Sequence, residues 1–525
     1  MKRTKLLSTI LILITALPVS AQQAYDIVIA NARILDGTGN PWYYADVGIS
    51  GDRIIAVGNL DGARAARTID ADGLYLTPGF IDVHSHSAGG LSSEELSHGQ
   101  PLLAQGITTV VANPDGGGPT DLRSQQEALL EDGLGVNVAQ LVPHGSIRGE
   151  VIGMEDREPT APELERMKGL VRRGMEQGAF GLSSGLYYAP GSYSKTEEVI
   201  ELARVAGEFG GVYTSHIRDE ADYNIGVVVA VDEVIRVSRE GRLPGVVTHI
   251  KALGPRVWGY SQALIRRIEQ ARAEGLEVYA DQYPYEASGT SVTGALIPRW
   301  AQVGGREELL RRLNDGTERV RVRSDVIENL DRRGGAGRLQ FRRYAPDPSI
   351  EGKTLERVAN ERTMHPADLA TELLKEGNAG LVSFNMEADD VRALMRQPWT
   401  MTSSDGGLGP MGEGVPHPRN YGTFPRKIRK YALEEGVVSL EGAIRSMTSL
   451  PASVFRMKDR GQIREGAIAD VVVFDPATIR DRAEYQRPHQ LSEGMRYVFV
   501  NGALAVDDGE FTGTLNGRVL SRSQR

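Results

Sequence analysis

From Gly79 to about residue 455 the chain alternates short apolar β-type runs with amphipathic helical stretches, and this restricts the fold more than any other feature. The runs are FIDVHSH, ITTVVANPD, VNVAQLVPHG, AFGLSSG, VYTSHIRDE, VVTHIKA, LEVYADQYPY and WTMTSSDG, eight in all. Between them lie stretches such as 160–177, where Leu164, Met167, Leu170, Val171 and Met175 recur at helical spacing. Alternation of buried-type strands with helices implies parallel β/α units. Eight such units fit a closed cylinder, so the expected fold class is α/β, a (β/α)8 TIM barrel over 78–455.

The spacing between units is short except before the eighth. Residues 292–396 exceed one crossover helix, and 305–345 is Arg-rich with little apolar periodicity. The sequence therefore predicts an inserted subdomain over about 292–350, serving either as a lid that shapes specificity or as a solvated decoration. Residues 22–77 read as short strands separated by turns, and the same texture returns within 456–525, in GQIREGAIADVVVFDP and GMRYVFVNGALAVDDGEF. Two β-rich ends flanking a barrel predict one small β-sandwich built from both termini.

The first residues carry an address. Lys2, Arg3 and Lys5 precede the apolar run Leu6–Leu17, and Pro18-Val19-Ser20-Ala21 supplies small residues. This is the pattern of a secretory signal peptide, 1–21, with cleavage expected after Ala21. The apolar run is short of the ~20 residues a membrane span needs. The mature protein is thus expected to be secreted or periplasmic, with no membrane association. A chain of 525 residues with no cysteine has no disulfide, thiol nucleophile, thiolate zinc site or lipoprotein anchor. A net charge of −9 argues against nucleic acid as a partner.

The polar residues converge on one end of the barrel. His84 and His86 close the first run, and in a strand alternate side chains share a face, so His-x-His aims both imidazoles at the barrel mouth. Asp115 follows the second run, His144 the third, Ser183 and Ser184 the fourth, and His216 the fifth. His249 and Lys251 end the sixth, Tyr283 and Tyr285 the seventh, and Asp405 the eighth. Catalytic groups in such barrels sit at the carboxyl ends of strands. Neutral imidazoles with carboxylates are a ligand set for zinc in a hydrolytic site. Four histidines and two carboxylates exceed the need of one ion, so one or two ions are expected. Asp405 can bind metal and also take the proton of an activated water.

The segments PGFIDVHSH, GITTVV, FGLSSGLYYAPGSYSKTEEVIELA, YTSHIRDE, THIK, SSDG, HPRNYGTFPR, MTSLPA and DRGQIREGAIADVVVFDP resemble the D-aminoacylase (N-acyl-D-amino-acid deacylase) branch of the amidohydrolase superfamily. The similarity runs through nearly the whole mature chain, in the family's order. It implies a (β/α)8 barrel with a β-sandwich, an insertion near the last strands and a zinc-dependent amide hydrolase. It assigns His84, His86, His216, His249 and Asp405 to the metal site, with Asp405 also in proton transfer. One position departs from the pattern: where relatives carry a metal-binding Cys in Gly-Asn-Cys-Gly, this chain has Asn113-Pro114-Asp115-Gly116. Asp115 is then either a ligand, a harder one than a thiolate, or a turn residue holding its own backbone. The fourth strand ends in Ser183-Ser184, with Lys195 at a helix start, so a lysine bridge between metals is not expected.

An N-acyl amino acid presents a free carboxylate, which calls for cations and hydroxyl donors. Lys251 and Arg419 are the candidate cations; Tyr188, Tyr193 and Tyr285 match aromatic positions of the family's pocket, and each of the five has a packing or surface alternative. His144 is either an oxyanion donor or a buried supporting residue. The expected function is hydrolysis of the amide of N-acyl-D-amino acids or related small peptides by metal-activated water. The alternatives are a dipeptidase or cyclic-amide or ester hydrolase on the same scaffold, and a catalytically silent binding protein.

Overall fold

A computed structural model describes residues 24–522; the signal-peptide expectation lies outside the described residues. Eight parallel strands form the barrel. The first (Phe80–Asp82) pairs with the second (Ile107–Ala112), and the second with the third (Asn137–Gln140). The third resumes at Val142–Pro143 and pairs with the fourth (Gly181–Gly185), which pairs with the fifth (Val212–His216). The sixth (Gly245–Val247), seventh (Val278–Gln282) and eighth (Thr400–Thr402) follow in order. Closure occurs just past the eighth strand, where the Asp405 amide donates to the His84 carbonyl at 2.9 Å and Gly406–Gly407 pairs with Ser85–His86. The last bonds of the cylinder are therefore made by the segments that carry three of the candidate ligands.

The helices cover the strands as their spacing demands. The helix Ala161–Glu176 begins at a Thr160/Glu163 capping box, which satisfies two orphan amides, and buries Met167, Leu170, Val171 and Met175. Each such side chain contributes about 1.5–3 kcal/mol by leaving water. They join Val142, Leu182, Val199, Val231 and Leu264 in one apolar shell around the fourth to seventh strands.

The inserted unit is larger than the sequence suggested. Its sheet has three antiparallel strands, Ser288–Ser291, Gly380–Ser383 and Leu339–Arg343, with Gly380–Ser383 in the centre. Because the central strand comes last in the chain, the unit runs from 288 to 383 and not over 292–350. The Arg-rich stretch is also not free of periodicity. Helices Gly305–Asn314 and Gly316–Arg332 bury Leu309 and Leu313, and Val322, Val326 and Leu330. These form one apolar row per helix, while Arg311 pairs outside with Glu308 and Glu318. So narrow a stripe is drowned by charge when the sequence is read alone.

Both chain ends meet in one nine-stranded sheet. Its centre is Ala24–Ile34, antiparallel to Tyr43–Ser50 and parallel to Arg64–Asp70 and Tyr75–Pro78. Tyr75–Pro78 pairs with Val471–Phe474 and so joins the two termini. The sheet curls until its edge strand Arg53–Gly58 touches the approach to Val471, the Ile54 amide donating to the Ala467 carbonyl at 2.9 Å. Val471 and Val473 point into this curl, whereas Val472 and Phe474 pack on the barrel with Ile107 and Phe424. A strand buried on both faces explains the unbroken run VVVF. Among the described residues no helix is long and apolar enough to cross a membrane.

Candidate metal centre and its cavity

The strand ends are shaped to turn ligand-type side chains inward. Asp115, His249 and Asp405 all have left-handed backbones, with φ of 56°, 37° and 48°. Such conformations cost free energy outside glycine and persist where the surroundings enforce them. For Asp115 the enforcement is visible: a Cβ on Gly185 would lie 2.2 Å from the Asp115 carbonyl oxygen, so only glycine on the fourth strand admits this loop. For His249, the Asp281 carboxylate accepts from its amide at 2.9 Å and from the Ser403 hydroxyl at 2.6 Å. Asp82 does the same between first and eighth strands, accepting from the amides of His84 and Ser404 and from the Ser404 hydroxyl. Burial pushes the Asp82 carboxyl up to about 6, against those hydrogen bonds.

Six side chains from five strand ends then meet. His84 Nε2 lies 3.4 Å from Asp115 Oδ1 and 3.6 Å from Asp405 Oδ1. His86 Nε2 lies 3.5 Å from Asp115 Oδ2 and 3.2 Å from Asp405 Oδ1. On the other side of Asp115, His216 Nδ1 and His249 Nε2 stand 3.8 and 3.6 Å from Oδ1. His84, His86, Asp115 and Asp405 form one group whose ligand atoms lie within 4.8 Å of one another; Asp115, His216 and His249 form a second. Asp115 belongs to both. The donor set also fits an ion: His84 Nε2, His216 Nδ1 and Asp115 Oδ1 are buried with no hydrogen-bond partner, an arrangement that is costly unless a cation takes up those lone pairs. Burial pushes the Asp115 carboxyl up, but the imidazoles of His84, His216 and His249 outweigh it and hold it well below the usual carboxylate range.

The rim opens into a cavity of about 520 Å³. Glu220, four residues past His216, lines it and was not singled out from the sequence, although it stands in the HIRDE segment. Its carboxylate accepts from Lys251 Nζ at 2.5 Å and lies 3.1 Å from His249 Nδ1 and 3.6 Å from His216 Nε2. Glu220 thereby turns the other nitrogen of each ring toward Asp115. Burial pushes the Glu220 carboxyl up, but Lys251 and the two imidazoles outweigh it and keep it ionised.

Lys251 and Arg419 line the cavity, and both cations are already engaged. Lys251 is held by Glu220, and Arg419 NH1 lies 2.7 Å from Asp405 Oδ2. Tyr188 also lines the cavity, its hydroxyl 3.1 Å from Thr290 Oγ1 of the inserted sheet. Three other candidate residues do not line the cavity. His144 does not reach the cavity; its Nε2 lies 2.9 Å from Glu198 Oε1, and Glu198 also binds the buried Arg148, a supporting network behind the barrel wall. Tyr193 donates to the Arg299 carbonyl at 3.0 Å in a neighbouring cleft, and Tyr187 takes its place in the cavity. Tyr285 packs on His417 and Tyr485, while Tyr283 faces the rim. The Tyr285 amide donates to the Tyr283 carbonyl at 3.0 Å, a tight turn that ends strand alternation between them.

A (β/α)8 barrel that gathers imidazoles and carboxylates on the carboxyl ends of its strands is the scaffold of a metal-dependent hydrolase. Residues 67–506 match the amidohydrolase family model described as "Amidohydrolase family". D-aminoacylase of Alcaligenes xylosoxydans xylosoxydans is 34% identical over 96% of this chain and 99% of its own. N-acyl-D-glutamate deacylase of the same organism is 35% identical, covering 92% of this chain and 93% of its own. The crystal structure of N-acyl-D-glutamate deacylase from Bordetella bronchiseptica, complexed with zinc and a phosphonate inhibitor, superposes with a TM-score of 0.81 at 33% identity, over 95% of this chain and 100% of that one. The chain belongs to the amidohydrolase family.

Proposed function

We propose that this protein hydrolyses the amide bond of N-acyl-D-amino acids, with zinc as its metal. The observation that carries the reading is the pair of ligand groups sharing Asp115, set at the floor of a cavity lined by cations and hydroxyls. The similarity to D-aminoacylase and to zinc-bound N-acyl-D-glutamate deacylase supports both substrate class and ion. His84, His86, Asp115 and Asp405 would hold one ion, and Asp115, His216 and His249 a second. When bound, zinc supplies Lewis-acid polarisation of the scissile carbonyl and acidifies a water.

The remaining work falls to the chain. Arg419 fixes Asp405 through Oδ2, leaving Oδ1 toward His84 and His86. From there Asp405 takes a proton from the attacking water and returns it to the leaving nitrogen. Glu220, neutralised by Lys251, keeps His216 and His249 in register. Tyr188 and Thr290, whose hydroxyls are hydrogen-bonded to each other at 3.1 Å, offer one shared hydroxyl pair to the bound substrate. The protein acts after export, its signal removed behind Ala21; a mature protein whose first residue is Gln22 by mass spectrometry checks this.

The test of the activity is a panel of N-acetyl-D-amino acids, their L-enantiomers and dipeptides offered to zinc-loaded protein. Cleavage of the D-series is expected. Cleavage of dipeptides or cyclic amides with none of the D-series would replace the proposal by another hydrolase activity. Protein that binds no zinc and cleaves nothing would point to a silent binder.

A further inference from the structure

One cation of the cavity, Arg342, has no side-chain partner among the described residues. Arg342 lies on the insert strand Leu339–Arg343, where Phe341 faces Leu381 and Arg343 faces Gly380 on the neighbouring strand. Arg342 is thus the extra residue of a β-bulge, a device that re-aims a side chain beside a functional site. Gly380 completes it: a Cβ there would lie 2.7 Å from Arg342 Cγ and Nε, so glycine opens the path along which the arginine reaches the cavity. The other arginines and the lysine of the cavity are occupied. Lys251 is bound to Glu220, Arg419 to Asp405, and Arg333 to the Tyr187 hydroxyl, Ser383 Oγ and the Ala295 carbonyl. Among the described residues the Arg342 guanidinium has neither an ion pair nor a hydrogen-bond partner. Burial and the neighbouring Arg419 charge pull its pKa down, partly offset by Asp405.

We propose that Arg342 is the receptor for a carboxylate of the substrate, held in reserve by the bulge until substrate arrives. The inference rests on the hydrolytic reading above and specifies which part of the substrate the inserted unit recognises. A carboxylate entering here relieves the repulsion between Arg342 and Arg419, and a planar guanidinium matches it with two parallel hydrogen bonds. The anion is either the α-carboxylate common to all N-acyl amino acids or a side-chain carboxylate.

Arg342→Gln and Arg342→Lys are compared with the parent, zinc-loaded, on N-acetyl-D-methionine, N-acetyl-D-glutamate and N-acetyl-D-methioninamide. The Gln variant is expected to raise KM by about 10- to 100-fold with kcat little changed, and the Lys variant to recover part of it. Loss on both acids with the amide unaffected identifies the α-carboxylate; loss on the glutamate derivative alone identifies the side chain. An unchanged KM for both acids, or an equal loss on the amide, overturns the proposal while hydrolysis by the parent leaves the function standing. Calorimetric titration with glutarate separates the reverse case. If the parent cleaves none of the three but glutarate binding weakens in Arg342→Gln, the receptor stands and the substrate assignment falls.

Discussion

The barrel rim and the inserted unit shape one cavity by different means. The rim contributes chemistry: His84, His86, Asp115, His216, His249 and Asp405 stand at strand ends, pinned by Asp82 and Asp281 inside the cylinder. The insert supplies none of these ligand-type residues; it brings Thr290, Arg333 and Arg342 across the opening from a sheet with its own apolar core. The insert packs around an apolar core of its own and meets the rim through hydrogen bonds between Thr290 and Tyr188 and from Arg333 to Tyr187. Catalysis and recognition are therefore divided between two packing units.

The division can be broken first at the rim. Asp405→Asn is expected to cut kcat by about 10³-fold while zinc content, measured by elemental analysis, stays largely intact; parental turnover would remove Asp405 from proton transfer. Behind the rim, Glu198→Ala leaves His144 and Arg148 buried without their carboxylate. Denaturant unfolding should show a loss of about 3–5 kcal/mol, with KM unchanged because none of the three touches the cavity. In the insert, Leu373→Ala removes a buried side chain from its core and should cost about 2–5 kcal/mol. Hydrogen exchange should locate that loss between residues 288 and 383, and bound zinc should remain; simultaneous loss of zinc would show that the two units are one.

A smaller effect comes from the barrel wall. Lys427 is buried against the eighth strand, donating to Thr402 Oγ1 at 2.8 Å and Ser446 Oγ at 2.9 Å, and burial pulls it from 10.5 down to about 7. Between those values the unfolded chain binds more protons than the folded one, so stability rises with pH across that window. Relative to Lys427→Met, the parent should gain about 2 kcal/mol from pH 7 to 9. Parallel pH profiles of the two melting curves would contradict this.

Legibility from sequence follows the same division. The rim could be read because each ligand-type residue directly ends an apolar run, where the period-two rule still holds, as at His84 and His86. The rule fails as soon as the chain turns, which is why Tyr285 was expected where Tyr283 stands. His144 ends its strand as the others do, but it opens the helix His144–Val151 and turns to Glu198. Glu220 lay in a recognised segment, yet its role depends on a loop bringing it between two histidines and a lysine. Arg342 was the least accessible, because a bulge is a mismatch between two strands distant in sequence and one arginine in an Arg-rich stretch carries no mark. The central insert strand GLVS is too short and too unremarkable to stand out between helices.

The most direct test of the central claim is anomalous diffraction at the zinc edge from crystals of the zinc-loaded protein. Ion density is expected among His84, His86, Asp115 and Asp405, with any second peak between Asp115, His216 and His249. Zinc held elsewhere, or within this rim but out of reach of Asp115, would contradict that claim.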